Sequence, residues 1–206
     1  LYGPDGTPIL AVDRLPRALP HDRANALAAA AVAMAAGADA PAAAAALASA
    51  PGLPHRVELV ADADGVRWYD DSKATTPASV LAACAGLPSV VLIAGGRNKG
   101  LDLGPLAGTV PPVHSVVAIG ESAAEVHAAF AGRVPVQEAA RMAEAVRLAD
   151  GLARSGDAVL LSPGCASFDW YPSYAARGDE FAAQVRARLH PEPPAQTAAQ
   201  KEDHPC

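Results

Sequence analysis

Two alanine-rich segments near the start of the chain have the composition of α-helices. Residues 22–36, "DRANALAAAAVAMAA", end at Gly37, a residue that commonly follows the last turn of a helix. Asp22 is expected to be the N-cap, because a carboxylate there can accept hydrogen bonds from the free N–H groups of the first turn. A second helix is predicted over residues 41–49, with Pro41 in its first turn.

The pattern changes after residues 51–54, "PGLP", which interrupt the helical composition and predict a domain boundary. Residues 55–70, "HRVELVADADGVRWYD", contain two runs of alternating apolar and polar residues on either side of Asp64 and Gly65. Alternation of this kind is typical of half-buried strands, and an Asp-Gly pair favours a tight turn between them. The second part of the chain is therefore predicted to begin with a β-hairpin.

Short apolar strands and helices then alternate along the chain. Further strands are predicted at residues 89–95, 114–120 and 157–164. Wholly apolar strands separated by helices are typical of a parallel sheet that is covered on both faces. The predicted fold class is therefore α/β, a Rossmann-like, mostly parallel sheet with helices on both faces. The helices are expected at residues 77–86, 121–131, 138–154 and 173–189.

The composition excludes several classes of protein. Of the 206 residues, 51% are hydrophobic and 18% are charged, which is enough apolar surface for a packed core. A formal net charge of −6 argues against nucleic acid or a membrane surface as a partner. The chain also lacks the run of about 18 apolar residues that spans a bilayer. Residues 191–206 are rich in proline and polar residues and are predicted to form a disordered tail.

The cysteines and histidines indicate neither a disulfide framework nor a metal site. Cys84, Cys165 and Cys206 are far apart and include no C-x-x-C pair, which suits a reducing compartment. The six histidines show no metal-ligand spacing. The expected location is therefore the cytoplasm, and no metal ligand is predicted in the chain.

Polar loops follow the predicted strands and should meet at one edge of the sheet. They are "DDSKATTP" (70–77), "GGRNKG" (95–100), "GES" (120–122) and "SPGCASFDWY" (162–171). Their lysines and hydroxyls suit an anionic ligand with more than one carboxylate or phosphate. Each loop alone is explained as well by structure, since "GGRNKG" is not a known phosphate-binding motif and Cys165 suits a buried thiol. Their combination at one edge favours a binding site.

Five motifs in this order resemble the C-terminal half of the Mur ligase family, in particular its D-glutamate-adding members. They are "HDRANALAA", "LPHRVE", "DDSKATTP", "GGRNKGLDL" and "LLSPGCASFDWYPSYAARGDEF", and the resemblance covers about residues 7–189. It implies an ATP-dependent ligase of peptidoglycan synthesis, which joins D-glutamate to UDP-N-acetylmuramoyl-L-alanine through an acyl phosphate. It also implies that residues 1–52 end a central ATPase domain and that residues 53–190 form a C-terminal Rossmann-like domain.

The resemblance further implies roles for single residues around a nucleotide. Asn25 would contact the adenine, and Arg56 and Asp71 would reach the nucleotide from the other side of a cleft. An arginine offers a planar fork of donors to phosphates, and an aspartate accepts hydrogen bonds from ribose hydroxyls. Lys73 would be catalytic by adding positive charge close to the reacting groups.

A second set of residues would hold D-glutamate. The resemblance implies that Thr75 and Lys99 bind one carboxylate, and that Ser167 and the backbone near Tyr174 hold the other. Clamping both carboxylates would fix the amine in position for attack, and such orientation lowers the barrier to reaction. The sequence differs from the family pattern at Thr76, where asparagine is common.

No G-x-x-x-x-G-K-[ST] phosphate-binding loop occurs in the 206 residues, so this chain alone is not expected to use ATP. ATP and Mg²⁺ would bind largely through residues outside it. The expected partners are small-molecule substrates, and a monomer is expected. Two alternatives stay open, namely a stand-alone module that binds D-glutamate or a nucleotide without catalysis, and a fragment of a folylpolyglutamate-type ligase.

Overall fold

The computed structural model describes residues 1–3 and 6–190 and contains one six-stranded sheet between two layers of helices. The tail predicted for residues 191–206 lies outside the described residues. None of the described helices is long and apolar enough to cross a bilayer. The strands are β1 (Glu58–Ala63), β2 (Val66–Asp70), β3 (Val90–Gly95), β4 (Val113–Ile119), β5 (Val136–Ala139) and β6 (Ala158–Leu161). The α-helices are α1 (Pro20–Ala35), α2 (Ala40–Ser49), α3 (Pro77–Cys84), α4 (Ala123–Phe130), α5 (Met142–Leu152) and α6 (Tyr174–Leu189).

The strands follow the order β1-β2-β6-β3-β4-β5 across the sheet. β1 runs antiparallel to β2, whereas every other neighbouring pair is parallel. β6, the last strand among the described residues, therefore lies between β2 and β3 and brings the loop that follows it to the middle of the sheet. The predicted fold class is confirmed.

Alternate residues of the central strands pack into two separate hydrophobic clusters, one on each face of the sheet. In β3, Leu92 and Ala94 join the cluster that includes residues of α3 and α4, whereas Val91 and Ile93 join the cluster formed with α5 and α6. This alternation is the period-two geometry of a strand, and both faces are apolar because both are covered by helices.

The hairpin is confirmed, and its turn needs the predicted residues. Asp64 and Gly65 have φ angles of 53° and 78°. Both central residues of a type I′ turn have positive φ, a conformation that Asn, Asp and Gly tolerate better than other residues.

The prediction that Asp22 is the N-cap of the first helix is wrong. α1 begins at Pro20, and Leu19 occupies the N-cap position. Proline suits the first helical position because the N–H that it lacks would have no partner there. Asp22 is instead the third helical residue, and its Oδ2 accepts a hydrogen bond from the backbone N–H of Leu19 at 3.1 Å.

The helix predicted over residues 138–154 begins only at Met142, because residues Val136–Ala139 form the edge strand β5. This strand has four residues, two of which, Gln137 and Glu138, are exposed. A short edge strand with polar side chains lacks the apolar run by which β3, β4 and β6 were predicted.

Candidate functional site

The loops at the carboxyl ends of the strands are hydrogen-bonded to one another. Gly164 donates its backbone N–H to the carbonyl of Ala74 at 2.9 Å, which joins the loop after β6 to the loop after β2. Arg97 and Ala166 exchange two backbone hydrogen bonds of 2.8 and 3.0 Å, which join the loop after β3 to the same segment. The loop after β6 therefore connects the other two into one surface.

Glycine is required where these loops meet. Gly96 has a φ of +131°, and an added Cβ would overlap the carbonyl oxygen of Ala166. An added Cβ at Gly120, where φ is +69°, would lie 2.8 Å from the Cα of Gly96. The loops after β3, β4 and β6 can approach this closely only because these residues have no side chain.

Arg177 of α6 lies buried beneath this surface. Its Nε donates to the hydroxyl of Ser72 at 2.9 Å, and its Nη2 donates to the carbonyls of Ser72 at 2.9 Å and Cys165 at 3.1 Å. Burial lowers the pKa of the Arg177 guanidinium to about 10. Arg177 therefore keeps its charge at neutral pH and fixes the loops after β2 and β6 to α6.

A cleft of about 1050 Å³ lies on the other side of the loop after β2. Its walls come from the segment before α1, the start of α1, the hairpin and α3, and many of its lining residues are apolar. Four of the predicted site residues line it, namely Asn25, Arg56, Asp71 and Lys73. The residues predicted for the nucleotide therefore share one cleft, with Asn25 contributed by α1 and Asp71 by the end of β2.

Asp71 is the buried carboxylate of this cleft. Its Oδ2 accepts a hydrogen bond from the hydroxyl of Ser162 at 2.7 Å, and its Oδ1 accepts one from the backbone N–H of Val57 at 3.2 Å. Burial raises the pKa of the Asp71 carboxyl to about 6, although both hydrogen bonds favour the charged form. Each carboxylate oxygen has a second lone pair, so Asp71 can still accept a hydrogen bond from a ligand.

Arg56 lies between two residues with an unusual backbone conformation. His55 and Val57 have φ angles of 59° and 49°, and a β-branched residue rarely adopts a positive φ. The segment is held from both sides: Nδ1 of His55 lies 2.7 Å from Oδ2 of Asp70, and Nη1 of Arg17 donates to the carbonyl of Val57 at 2.7 Å. The Arg56 side chain itself is exposed and lines the cleft.

Of the residues predicted for D-glutamate, Thr75, Lys99 and Ser167 lie on loops of the carboxyl edge, and Tyr174 begins α6. Nζ of Lys73 lies 3.8 Å from the centroid of the Tyr174 ring, and Nζ of Lys99 lies 5.3 Å from that of Phe168, the residue after Ser167. Ser167 is buried, whereas Lys99 is exposed. The loop after β6 thus places Phe168, the residue after Ser167, beside Lys99.

Thr75 lies apart from these contacts. It is half-buried in the loop before α3, and the N-cap of that helix is its neighbour Thr76, whose hydroxyl accepts a hydrogen bond from the N–H of Ser79. Among the described residues, Thr75 and Lys99 form no direct hydrogen bond with each other. Their predicted sharing of one carboxylate therefore stays a prediction.

Several residues that organise the site were not predicted. Arg17 was not recognised, since an arginine in an irregular segment gives no sign of its partner. Arg177 was part of the motif "RGDEF", which carried the resemblance, but it was given no role of its own. Glu121 accepts two hydrogen bonds from Arg97, at 2.9 and 2.7 Å, and its backbone N–H donates to Asp169 at 3.1 Å. These partners are distant in sequence, so only the fold brings them together.

One group of potential metal ligands occurs in the described residues, formed by His55, Glu58 and Asp70. Nδ1 of His55 already pairs with Asp70, and a carboxylate oxygen of Glu58 accepts the backbone N–H of His55 at 2.9 Å. These hydrogen bonds explain the group without a metal ion.

Comparison with a family model identifies residues 55–165 as "Mur ligase, glutamate ligase domain". The chain is 45% identical over 185 residues to a UDP-N-acetylmuramoylalanine–D-glutamate ligase of Nitrosococcus oceani, which covers 88% of this chain and 41% of the relative. It is 49% identical over 187 residues to the enzyme of the same name from Frankia casuarinae. This match covers 89% of this chain and 40% of the relative. The chain thus spans about 40% of the length of these curated relatives.

Solved structures with the same fold include two ligases. The UDP-N-acetylmuramate-alanine ligase of Thermotoga maritima matches with a TM-score of 0.64 and 16% identity, over 84% of this chain and 40% of that chain. The folylpolyglutamate synthase of Mycobacterium tuberculosis, solved with ADP and AMPPCP, matches with a TM-score of 0.61 and 20% identity, over 87% and 42%. At these identities the structures support the fold alone, whereas the family model matches more than half of the chain. The chain therefore belongs to the Mur ligase family.

Proposed function

We propose that the chain is part of an ATP-dependent ligase that joins D-glutamate to UDP-N-acetylmuramoyl-L-alanine in peptidoglycan synthesis. Curated relatives that are 40–49% identical to it carry the name of that ligase. The observation that carries the proposal is the joining of the loops after β2, β3 and β6 into one surface beside a cleft of about 1050 Å³. These are the loops whose motifs resemble the D-glutamate-adding members of the family.

The cleft fits the nucleoside part of ATP. Its volume is close to the upper end of the range of small-molecule sites, and its mixed apolar and polar lining suits a base and a sugar. Asn25 would hydrogen-bond the adenine, Asp71 would accept a hydrogen bond from the ribose, and Arg56 would offer donors to a phosphate. ATP bound with Mg²⁺ would supply the phosphoryl group that activates the carboxylate of the first substrate.

The joined loops would hold D-glutamate. The exposed ammonium of Lys99 and the hydroxyl of Thr75 would bind one carboxylate, while Ser167 and the backbone near Tyr174 would bind the other. Lys73 lies over the Tyr174 ring and also lines the cleft, so its charge is available between the two ligands. Holding both carboxylates would present the amine of D-glutamate for attack on the activated substrate.

The same proposal assigns the parts of the chain. Residues 1–52 would be the end of a central ATPase domain, and residues 53–190 would be the C-terminal, amino-acid-binding domain. The partners would be D-glutamate and UDP-N-acetylmuramoyl-L-alanine. The protein would act as a monomer in the cytoplasm, where nucleotide-linked cell-wall precursors and ATP are both present.

The test is to titrate the ¹⁵N-labelled chain with D-glutamate and, separately, with L-glutamate. Changes in the NMR chemical shifts of the backbone amides measure the binding. We expect D-glutamate to bind at least tenfold more tightly than L-glutamate. Lys99→Ala should weaken D-glutamate binding about tenfold or more, because it removes the charge that pairs with a carboxylate. The control Arg133→Ala removes an exposed cation far from the joined loops and should change the affinity less than twofold.

A preference for L-glutamate would point to a folylpolyglutamate-type ligase. Binding of D-glutamate that is unaffected by Lys99→Ala would show that Lys99 is not part of the carboxylate site. Absence of binding by either amino acid would overturn the proposed role of the joined loops.

A further inference from the structure

One buried cation beneath the joined loops forms no direct ion pair in the described part of the chain. Arg177 is 2% exposed, and among the described residues no carboxylate lies within ion-pair distance of it. Its Nη1 is buried and makes no hydrogen bond in the described part of the chain. Asp169 and Asp70 interact with its charge without forming a direct ion pair. A buried charge that is compensated only at a distance is costly to the fold, so its presence here calls for an explanation in terms of binding.

The guanidinium of Arg177 reaches all three loops of the joined surface. Its Nε and Nη2 bind Ser72, in the loop after β2, and Nη2 also binds the carbonyl of Cys165, in the loop after β6. Its unpaired Nη1 lies beside Gly96, in the loop after β3, at 3.1 Å from where a Cβ would be. One side chain therefore sets the relative positions of the segments that lead to Lys73, Lys99 and Ser167.

The neighbouring helical turn strengthens this arrangement. Ser72 accepts the Nε–H of Arg177 and donates its own hydroxyl proton to the carbonyl of Tyr174 at 2.7 Å. Tyr174 and Arg177 are one turn apart on α6, so the loop after β2 is held to the start of this helix at two points. The positive charge lies in the protein interior, where its field is less screened than it would be in water.

We propose that Arg177 is a positioning residue of the amino-acid site, which holds the three loops in register and favours an amino acid with two carboxylates. This inference rests on the proposed function. Because Nη1 is closed to solvent, Arg177 acts through Ser72, Cys165 and Gly96 and through its charge, and it does not touch the ligand. An anionic ligand above the loops would add a further counter-charge to those of Asp169 and Asp70, which interact with Arg177 without a direct ion pair.

The test compares the binding of D-glutamate with that of D-glutamine, which has one carboxylate fewer. In the 206-residue chain, Arg177→Met should weaken D-glutamate binding about tenfold or more and D-glutamine binding about threefold or less, so the ratio of the two affinities falls. Arg177→Lys keeps the charge. It should lower the affinity for both ligands but retain most of the ratio between the two affinities. The control Arg188→Met removes an exposed cation from the same helix, and it should leave both affinities and their ratio unchanged.

A purely structural role would weaken both ligands equally, and an unchanged ratio in Arg177→Met would overturn the inference. If Arg177→Met does not fold, Arg177→Lys is the deciding variant. Equal affinities for D-glutamate and D-glutamine in Arg177→Lys would show that a positive charge at this position does not favour the second carboxylate. If the unaltered chain binds L-glutamate instead of D-glutamate, the proposed function fails, and the same ratio is measured with L-glutamate and L-glutamine. If the chain binds none of the four, both proposals fail.

Discussion

Asp71 combines a predicted role in the nucleotide cleft with a cost to the stability of the fold. Its carboxyl is 6% exposed, and burial raises its pKa from 3.8 to about 6. Below about pH 4 the group is protonated in both the folded and the unfolded chain, and between about pH 4 and 6 it is protonated only in the folded chain. The free energy of unfolding that it contributes therefore falls as the pH rises through this window and stays low above it.

Asp71→Asn should remove this pH dependence. At pH 7.5 we expect the variant to have a free energy of unfolding about 1–3 kcal/mol above that of the unaltered chain. At pH 4.5 we expect the free energies of unfolding of the two chains to lie closer together. The amide can keep both hydrogen bonds, since its oxygen can accept from Val57 and its N–H can donate to Ser162. Urea unfolding at the two pH values measures the difference. Asp62→Asn, at an exposed position of β1, is the control, and a lower stability of Asp71→Asn at pH 7.5 would contradict the argument.

Sequence and structure agree on some residues of the candidate site and differ on others for a physical reason. Asn25, Arg56 and Asp71 were predicted as one set, and they do line one cleft. Their roles toward a nucleotide stay predictions. Arg177 was not predicted, because burial of a charged helical residue depends on loops that are up to 105 residues away in sequence. Local patterns do not contain such partners.

Gly178 shows how one helix is fitted against the hairpin. It lies inside α6, where glycine is less favourable than alanine, yet an added Cβ would overlap both Nδ1 of His55 and Oδ2 of Asp70. The absence of a side chain lets α6 pack against the paired His55 and Asp70. This pair in turn holds the backbone immediately before Arg56 and immediately before Asp71.

Gly178→Ala should therefore destabilise the fold, by about 1–3 kcal/mol, because α6 or the His55–Asp70 pair must move to make room for the methyl group. Gly151→Ala, in α5, is the matched control. Nothing lies within 4 Å of the added Cβ at Gly151, so alanine should stabilise that helix by about 0.5–1 kcal/mol. Thermal unfolding of both variants checks the opposite signs. Equal gains in the two variants would show that the contact with His55 and Asp70 is easily relieved.

At the scale of elements, the hydrophobic pattern predicted most strands and helices because burial on both faces leaves long apolar runs. β3, β4 and β6 were predicted in this way, and helices were predicted in the segments between these strands. β5 was missed because an edge strand with exposed polar residues lacks that pattern. The start of α1 was misplaced because Pro20 and Asp22 both favour a helix start, and the proline took the first position.

Arg17 makes polar contacts that connect the first 50 residues to the segment before the sheet. Its guanidinium forms two hydrogen bonds of 2.7 Å with Asp22 of α1 and donates to the carbonyls of Arg56 and Val57. A single side chain therefore bridges α1 and the strained segment before β1. The cleft lies between these two parts, so Arg17 also holds its opposite walls together.

Arg17→Met should loosen this connection without unfolding the sheet. We expect faster hydrogen exchange in α1 and α2 and little change in β3, β4 and β6, because the lost hydrogen bonds lie at Asp22 and at the segment before β1 and none is made to those strands. Mass spectrometry of exchange in the unaltered chain and the variant measures this. Arg23→Met is the control, since the side chain of Arg23 bonds only to the nearby carbonyl of Ala18 among the described residues. Uniformly faster exchange across the sheet would show that Arg17 stabilises the whole fold.

The position of β6 has a consequence for synthesis on the ribosome. Because β6 follows the other five strands in the chain but lies in the middle of the sheet, β2 and β3 leave the ribosome about 60–90 residues before the strand that separates them. Until then their facing edges have free N–H and C=O groups, which can pair with each other or with another nascent chain. Slow translation between residues 95 and 158 would prolong that exposure, so the yield of folded protein should depend on codon use in this interval and on chaperones that shield open strand edges.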